Sequence, residues 1–160
     1  MNRIVRISDA LASNEIQDVL LTRSLGSCIG VSLYDAVMRV GGLLHFQLPS
    51  SAANVVRAGE NPLMYADTGM QWLIAEMESL GAERRRLRVA LAGGAKMLND
   101  DNVFNIGRRN HASIRKILWQ CGLFITWEEV GGTIPRNMAL SIADGTVTVS
   151  SHKGQIALSA

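Results

Sequence analysis

The chain has 160 residues, of which 48% are hydrophobic and 19% charged, and 16 Lys plus Arg against 14 Asp plus Glu leave a formal net charge of +2. That length suits one domain able to bury roughly 70% of its unfolded surface; the composition excludes a disordered chain, and so small a basic surplus gives no ground for nucleic-acid binding. Two cysteines, Cys28 and Cys121, cannot build the disulfide framework of a small secreted domain and are expected as free thiols.

Arg3, Arg6 and Asp9 interrupt the N-terminal stretch where a signal peptide needs apolar residues. No run approaches the roughly 20 apolar residues of a membrane span, so a cytoplasmic protein is expected. Residues 3–7 and 18–24 read as short strands, and 28–34 and 40–48 alternate with period two. After Pro49, the polar stretch Ser50 to Pro62 predicts an exposed loop. Met70, Leu73, Ile74, Met77 and Leu80 draw one apolar stripe on a helix over 66–80, with Gly81 placed as a left-handed cap.

Residues 86–92 read as a strand, and after the Gly93-Gly94 break a second helix over 106–121 carries Ile114, Ile117, Leu118 and Cys121 on one stripe, closed by Gly122. Strands at 123–130, 137–142 and 146–151 follow, the last two joined by Asp144-Gly145, which suits a type I′ turn. This order predicts an α/β (α+β) sandwich, a single domain over 1–160 with a mixed or largely antiparallel sheet and two main helices. Consecutive hairpins exclude a doubly wound parallel sheet.

The chemistry lies between Leu21 and Pro49. Ile29, Val31 and Leu33 form one apolar face of a strand, so Cys28 falls on the other with Gly30 and Ser32. Leu44, Phe46 and Leu48 do the same in the next strand and leave His45 opposite them. A hairpin must put both apolar faces on one side. A four-residue loop, Asp35 to Met38, then pairs Tyr34 with Arg39 and Cys28 with His45, bringing a nucleophile to a base whose imidazolium can depress the thiol pKa. Gly26 and Ser27, just before the thiol, permit a tight bend whose backbone N–H groups could hold an oxyanion. Thr22 and Ser24 are hydroxyls that could accept from the far imidazole nitrogen and fix its tautomer. The bland alternatives are a buried apolar cysteine, an interior histidine, an ordinary turn and satisfied strand hydroxyls.

The run Thr22-Arg23-Ser24-Leu25-Gly26-Ser27-Cys28, followed by Tyr34-Asp35, Gly41-Gly42 and His45 with Leu48-Pro49, resembles the CheD family of chemoreceptor glutamine deamidases. Tyr65-Ala66-Asp67, Gly81-Ala82, Ala92-Gly93-Gly94-Ala95 with Met97, Asn105-Ile106-Gly107 with Arg109-Asn110, and Gly131-Gly132 with Arg136 continue the resemblance in order. Pro135, where many relatives carry glycine, departs from it. The resemblance implies a cysteine-hydrolase-like enzyme that converts glutamine side chains of methyl-accepting chemotaxis receptors, on their cytoplasmic helical bundle, to glutamate with release of ammonia. It implies Cys28 as nucleophile, His45 as general base and Thr22 as the residue orienting it, with no metal or cofactor. It also implies a CheC-type phosphatase as a partner bound over the active site. A largely non-catalytic adaptor for such a phosphatase, and a transglutaminase-like enzyme, stand as alternatives.

Other motifs point to structure. Gly93-Gly94-Ala95-Lys96 lacks phosphate-loop spacing and reads as a tight turn, and Asn99-Asp100-Asp101-Asn102 lacks calcium-loop spacing and reads as a solvated loop. His111 and His152 have no partners at metal spacing and are expected on the surface. Arg84-Arg85-Arg86 with Arg88, and Arg108-Arg109 at a helix start, read as solvated faces or as a steer toward an acidic surface.

Overall fold

The computed structural model describes residues 1–98 and 105–158, the last three by backbone alone; the Asn99–Asn102 reading lies outside them. Among the described residues, ten strands divide between two five-stranded sheets. One has β1 (Asn2–Ile4), β3 (Val19–Leu25), β8 (Arg136–Ser141), β9 (Val147–Ser151) and β10 (Gly154–Leu158), in that order; the other runs β2 (Asp9–Ser13), β5 (Val40–Phe46), β4 (Ile29–Asp35), β6 (Arg88–Gly93) and β7 (Ile125–Val130). Among the described strands, only β1 with β3 and β6 with β7 pair in parallel. The expected mixed, largely antiparallel α+β architecture is therefore present, distributed over two layers.

Helices α2 (Ala66–Ser79) and α3 (Ile106–Gln120) cover the outer face of the second sheet, as their apolar stripes predict. Ile29, Val31, Leu33, Leu44 and Phe46 point into this helix-side core with Met70, Leu73, Met77, Ile114 and Leu118. The opposite face, with Leu43, Tyr34 and Ala92, packs on Leu20, Met138, Leu140 and Val149 of the first sheet. Covered on both sides, β4 and β5 are buried along their whole length, and the Gly41-Gly42 pair is a space requirement. A Cβ at Gly41 would press on Leu140 at 2.9 Å, and one at Gly42 on Leu73 at 2.7 Å.

Three elements depart from the sequence reading. β2 was not anticipated: its Asp-Ala-Leu-Ala-Ser sequence has weak strand propensity and becomes a strand by pairing with β5. The predicted loop after Pro49 contains a short helix, α1 (Val55–Glu60), whose end is capped by Asn54 accepting from the Arg57 N–H at 3.0 Å. β10 was also missed. The β8–β9 connection is not a type I′ turn, because Gly145 has φ +77° while Asp144 stays outside the positive region; the Gly145 N–H instead donates to the Ser141 carbonyl and Asp144 accepts from the Thr146 N–H. Gly81 and Gly122 do cap their helices with positive φ. Closing bonds from Ala82 N–H to Met77 and from Leu123 N–H to Leu118 complete both caps.

Candidate active site

The β4–β5 hairpin turns at residues 36–39, one residue later than the sequence predicts. Asp35 pairs with Val40, Gly30 with His45 and Ile29 with Phe46. Cys28 is therefore not directly opposite His45; it lies just past the last rung, diagonal to it. The cause is Asp35. Its fully buried carboxylate accepts from the Val37 and Met38 N–H groups and from Arg86, making it the closing residue of the strand. Because the pairing shifts by two positions, every side chain keeps its face. Cys28 and His45 both remain on the surface that meets the other sheet, as the opposite orientation of Ile29, Leu44 and Phe46 requires.

His45 is held from across that interlayer space. Its Nδ1 shares a 2.7 Å hydrogen bond with Thr22 Oγ1 of β3. Thr22 faces that space by the ordinary alternation of β3, which buries it together with Leu20; the register with β8 breaks only after it, between Thr22 and Leu25, with Ser24 at φ +59°. Ser24 itself is exposed and takes no part in this bond. His45 Nε2 has no hydrogen-bond partner among the described residues. Relative exposure is 8% for Cys28, 2% for His45 and 0% for Thr22.

Burial governs the charge state. Desolvation pushes the Cys28 thiol up to about 11, opposed only by its own backbone N–H. Desolvation also pushes His45 down to about 4, with the carboxylate of Asp9, paired opposite His45 on β2, pulling weakly the other way. Burial thus favours a neutral thiol and a neutral imidazole at rest and disfavours the imidazolium that would depress the thiol; His45 Nε2 makes no hydrogen bond to the Cys28 sulfur.

The loop carrying Cys28 is tied down on all sides. The Cys28 carbonyl accepts from the Gly94 N–H at 2.9 Å, and the Gly26 carbonyl from the Ala95 N–H at 2.8 Å. The Gly26 N–H donates to the Ser24 carbonyl at 3.0 Å. Gly93, at φ +108°, has no room for a Cβ, which would collide with the Cys28 carbonyl oxygen. The Gly93-Gly94 turn expected from sequence is therefore a cradle for the Cys28 backbone. Sequence reasoning also missed two buttresses. Arg136 donates to the Gly131 carbonyl at 2.7 Å and the Gly93 carbonyl at 3.3 Å, and Asn110 of α3 donates to Ser27 and Gln47. The one available signal was that both residues fall within the family-like motifs.

The remaining candidates resolve plainly. The arginine run is occupied internally: Arg84 pairs with Glu78, Arg85 with Glu83 and Arg86 with Asp35, while Arg88 lies over the Tyr34 ring. Arg108 and Arg109 have no ion-pair partner among the described residues. Beside the Cys28 cradle, a depression of about 220 Å³ is lined by Gly94, Lys96, Arg108, His111 and Gly132. His111 is only partly exposed and meets Glu128 at 3.1 Å, whereas His152 is exposed. Cys121 is half-buried against the helix-side core, and both cysteines are free. No group of three or more His, Cys, Asp or Glu side chains among the described residues could hold a metal, and no described helix is long and apolar enough to cross a membrane.

Fold and site together define an α+β protein with a thiol and a tethered imidazole on one buried face between two sheets. Residues 47–151 match the model of a family described as CheD chemotactic sensory transduction. The chain is 43% identical over 152 residues to the probable chemoreceptor glutamine deamidase CheD of Solibacter usitatus, covering 95% of this chain and 90% of that protein. It is 43% identical over 153 residues to the probable chemoreceptor glutamine deamidase CheD 1 of Syntrophus aciditrophicus, covering 96% of each. A similar protein from Desulforamulus reducens, also named as a probable chemoreceptor glutamine deamidase CheD, is 46% identical over 135 residues, covering 81% of this chain and 79% of that one. The chain belongs to the CheD family.

Proposed function

We propose that residues 1–160 act as one domain that deamidates glutamine side chains of chemoreceptors, with Cys28 as nucleophile, His45 as general base and Thr22 as its anchor. The observation that carries this reading is the arrangement of His45. A buried imidazole is tethered through Nδ1 to Thr22 and keeps Nε2 unpartnered on the face it shares with Cys28.

In the tautomer with Nδ1–H donating to Thr22 Oγ1, the Nε2 lone pair takes the thiol proton as sulfur attacks the carboxamide carbon. The C–N bond of the tetrahedral adduct then breaks, and the proton on Nε2 leaves with the nitrogen as ammonia. Water, deprotonated by the same nitrogen, adds to the thioester; the C–S bond breaks, giving glutamate and the regenerated thiol. The oxyanion needs backbone donors. The Gly26 N–H donates to the Ser24 carbonyl, which leaves Ser27, of the two residues before the thiol, as the candidate donor. With burial favouring a neutral resting pair, the proton moves from sulfur to Nε2 during attack.

On this reading the glutamines lie on the receptors' cytoplasmic helical bundle, the enzyme works in the cytoplasm, and a CheC-type phosphatase is a partner that binds over the Cys28 site. The test is incubation with a receptor cytoplasmic fragment, read by mass spectrometry as a gain of roughly 1 Da per converted glutamine. Cys28→Ala is expected to abolish conversion and His45→Ala to lower it by about 10²–10⁴. Conversion by Cys28→Ala at the wild-type rate would overturn the mechanism, and no conversion by the wild-type protein would favour the adaptor reading.

A further inference from the structure

Among the described residues, two buried side-chain polar atoms have no hydrogen-bond partner: His45 Nε2 and Asn110 Oδ1. The first is the proposed base. The second belongs to a fully buried asparagine of α3 whose amide nitrogen has two partners, donating to the Ser27 carbonyl and to the Gln47 carbonyl, each at 2.9 Å. Ser27 immediately precedes Cys28, and Gln47 follows His45 by two residues.

These carbonyls lie where the β4–β5 ladder has just ended at Ile29 and Phe46. Beyond that rung the two strands part, because the Gln47 and Leu48 N–H groups turn away to the Met64 carbonyl. One nitrogen with two hydrogens continues the ladder by a side chain and fixes how far the strands separate. Few residues can do this: a carboxylate cannot donate, and a hydroxyl has one hydrogen. α3 reaches the spot because Gly107, one turn earlier, packs on the cradle itself; a Cβ there would collide with the Ala95 carbonyl oxygen and lie 2.6 Å from that of Gly94.

We propose that Asn110 is a positioning residue, a clamp between the nucleophile loop and the end of the base-bearing strand that sets the placement of Cys28 relative to His45. The role rests on the deamidase reading for its kinetic consequence, but not for its geometric one. The Oδ1 acceptor, left unpaired in the interior at a cost, is tolerated because the amide must face both carbonyls.

The test uses Asn110→Ala, which removes both donors, and Asn110→Ser, which keeps one. Each is assayed for receptor-fragment deamidation and for Cys28 alkylation by iodoacetamide as a function of pH, with thermal melts to establish that the variants are folded. Asn110→Ala is expected to lower kcat by about 10²-fold, the scale of an ångström-sized misplacement, with KM unchanged. Its freed loop becomes more solvated, so the thiol titrates at lower pH than in the wild type and alkylation at pH 8 becomes faster while deamidation becomes slower. Asn110→Ser should fall between. A merely structural role would lower the melting temperature and leave the thiol titration of the folded protein unmoved. A folded Asn110→Ala or Asn110→Ser with wild-type kcat, or with an unshifted titration, overturns the proposal. If the wild type deamidates no receptor, the function fails on its own, and the alkylation profile still decides the clamp.

Discussion

Thr22 Oγ1 and His45 Nδ1 meet at 2.7 Å although they belong to different sheets, so the imidazole is oriented by a residue outside its own sheet. Thr22→Val keeps the strand shape and removes the hydroxyl. We expect kcat to fall by part of the about 10²–10⁴ that a general base contributes, with KM little changed, and Thr22→Ser to recover most of it. Steady-state deamidation of a receptor fragment measures this; a Thr22→Val protein as active as the wild type would remove Thr22 from the mechanism.

The neutral resting pair has its own signature. With the thiol at about 11 and the imidazole at about 4, alkylation of Cys28 in the free enzyme should climb through alkaline pH without a plateau near neutrality. A thiolate–imidazolium pair would instead plateau between its two pKa values. The rate of iodoacetamide labelling against pH distinguishes the two.

The same burial makes stability depend on acid. An unfolded histidine protonates below about 6.5, whereas folded His45 resists until about 4, so the unfolded state gains protons first. Stability contributed by His45 is present above pH 6.5 and is lost as pH falls towards 4. Melting temperatures of the wild type and His45→Asn should converge across that window. A constant gap would show that His45 does not titrate as its surroundings require.

Much of this was legible in the strand pattern. The alternation of Ile29, Val31 and Leu33 with Leu44 and Phe46 assigns faces, and faces survive an error of two in register. What pattern could not supply was the turn. Asp35 resembles a loop residue by type, yet its carboxylate is buried, because the Arg86 guanidinium and the Glu83, Val37 and Met38 N–H groups all converge on it. Asn110 and Arg136 gave no pattern signal for a related reason. Both hold backbone carbonyls, which carry no residue type, at 63 and 83 positions' separation for Asn110, and Arg136 adds a 3.4 Å pair with Glu129.

Asp35 therefore makes a prediction. Burial raises its carboxyl pKa, but hydrogen bonds from Arg86 and from the Glu83, Met38 and Val37 N–H groups win and hold it at about 2. The stability it contributes persists at neutral pH and is lost only as pH falls from about 3.8 towards 2. Asp35→Ala removes the turn's closing acceptor and should lower the urea midpoint. In that variant the hairpin register is also free to shift, which a drop in kcat exceeding the loss of folded protein would report.

Gly107→Ala asks whether the helix must approach so closely. Its Cβ meets two backbone carbonyls that cannot rotate away, so α3 must retreat, at a cost of about 1–3 kcal/mol for overpacking. The retreat carries Asn110 with it. Chemical denaturation and deamidation measured together should show activity lost beyond what unfolding explains.

His45 hangs from one layer while its tether, Thr22, grows from the other. On the proposed mechanism, catalytic competence is thus a gauge of how the layers are aligned, and slippage of one past the other would silence the enzyme with every strand intact. On slow heating, deamidation should fade before far-ultraviolet dichroism changes.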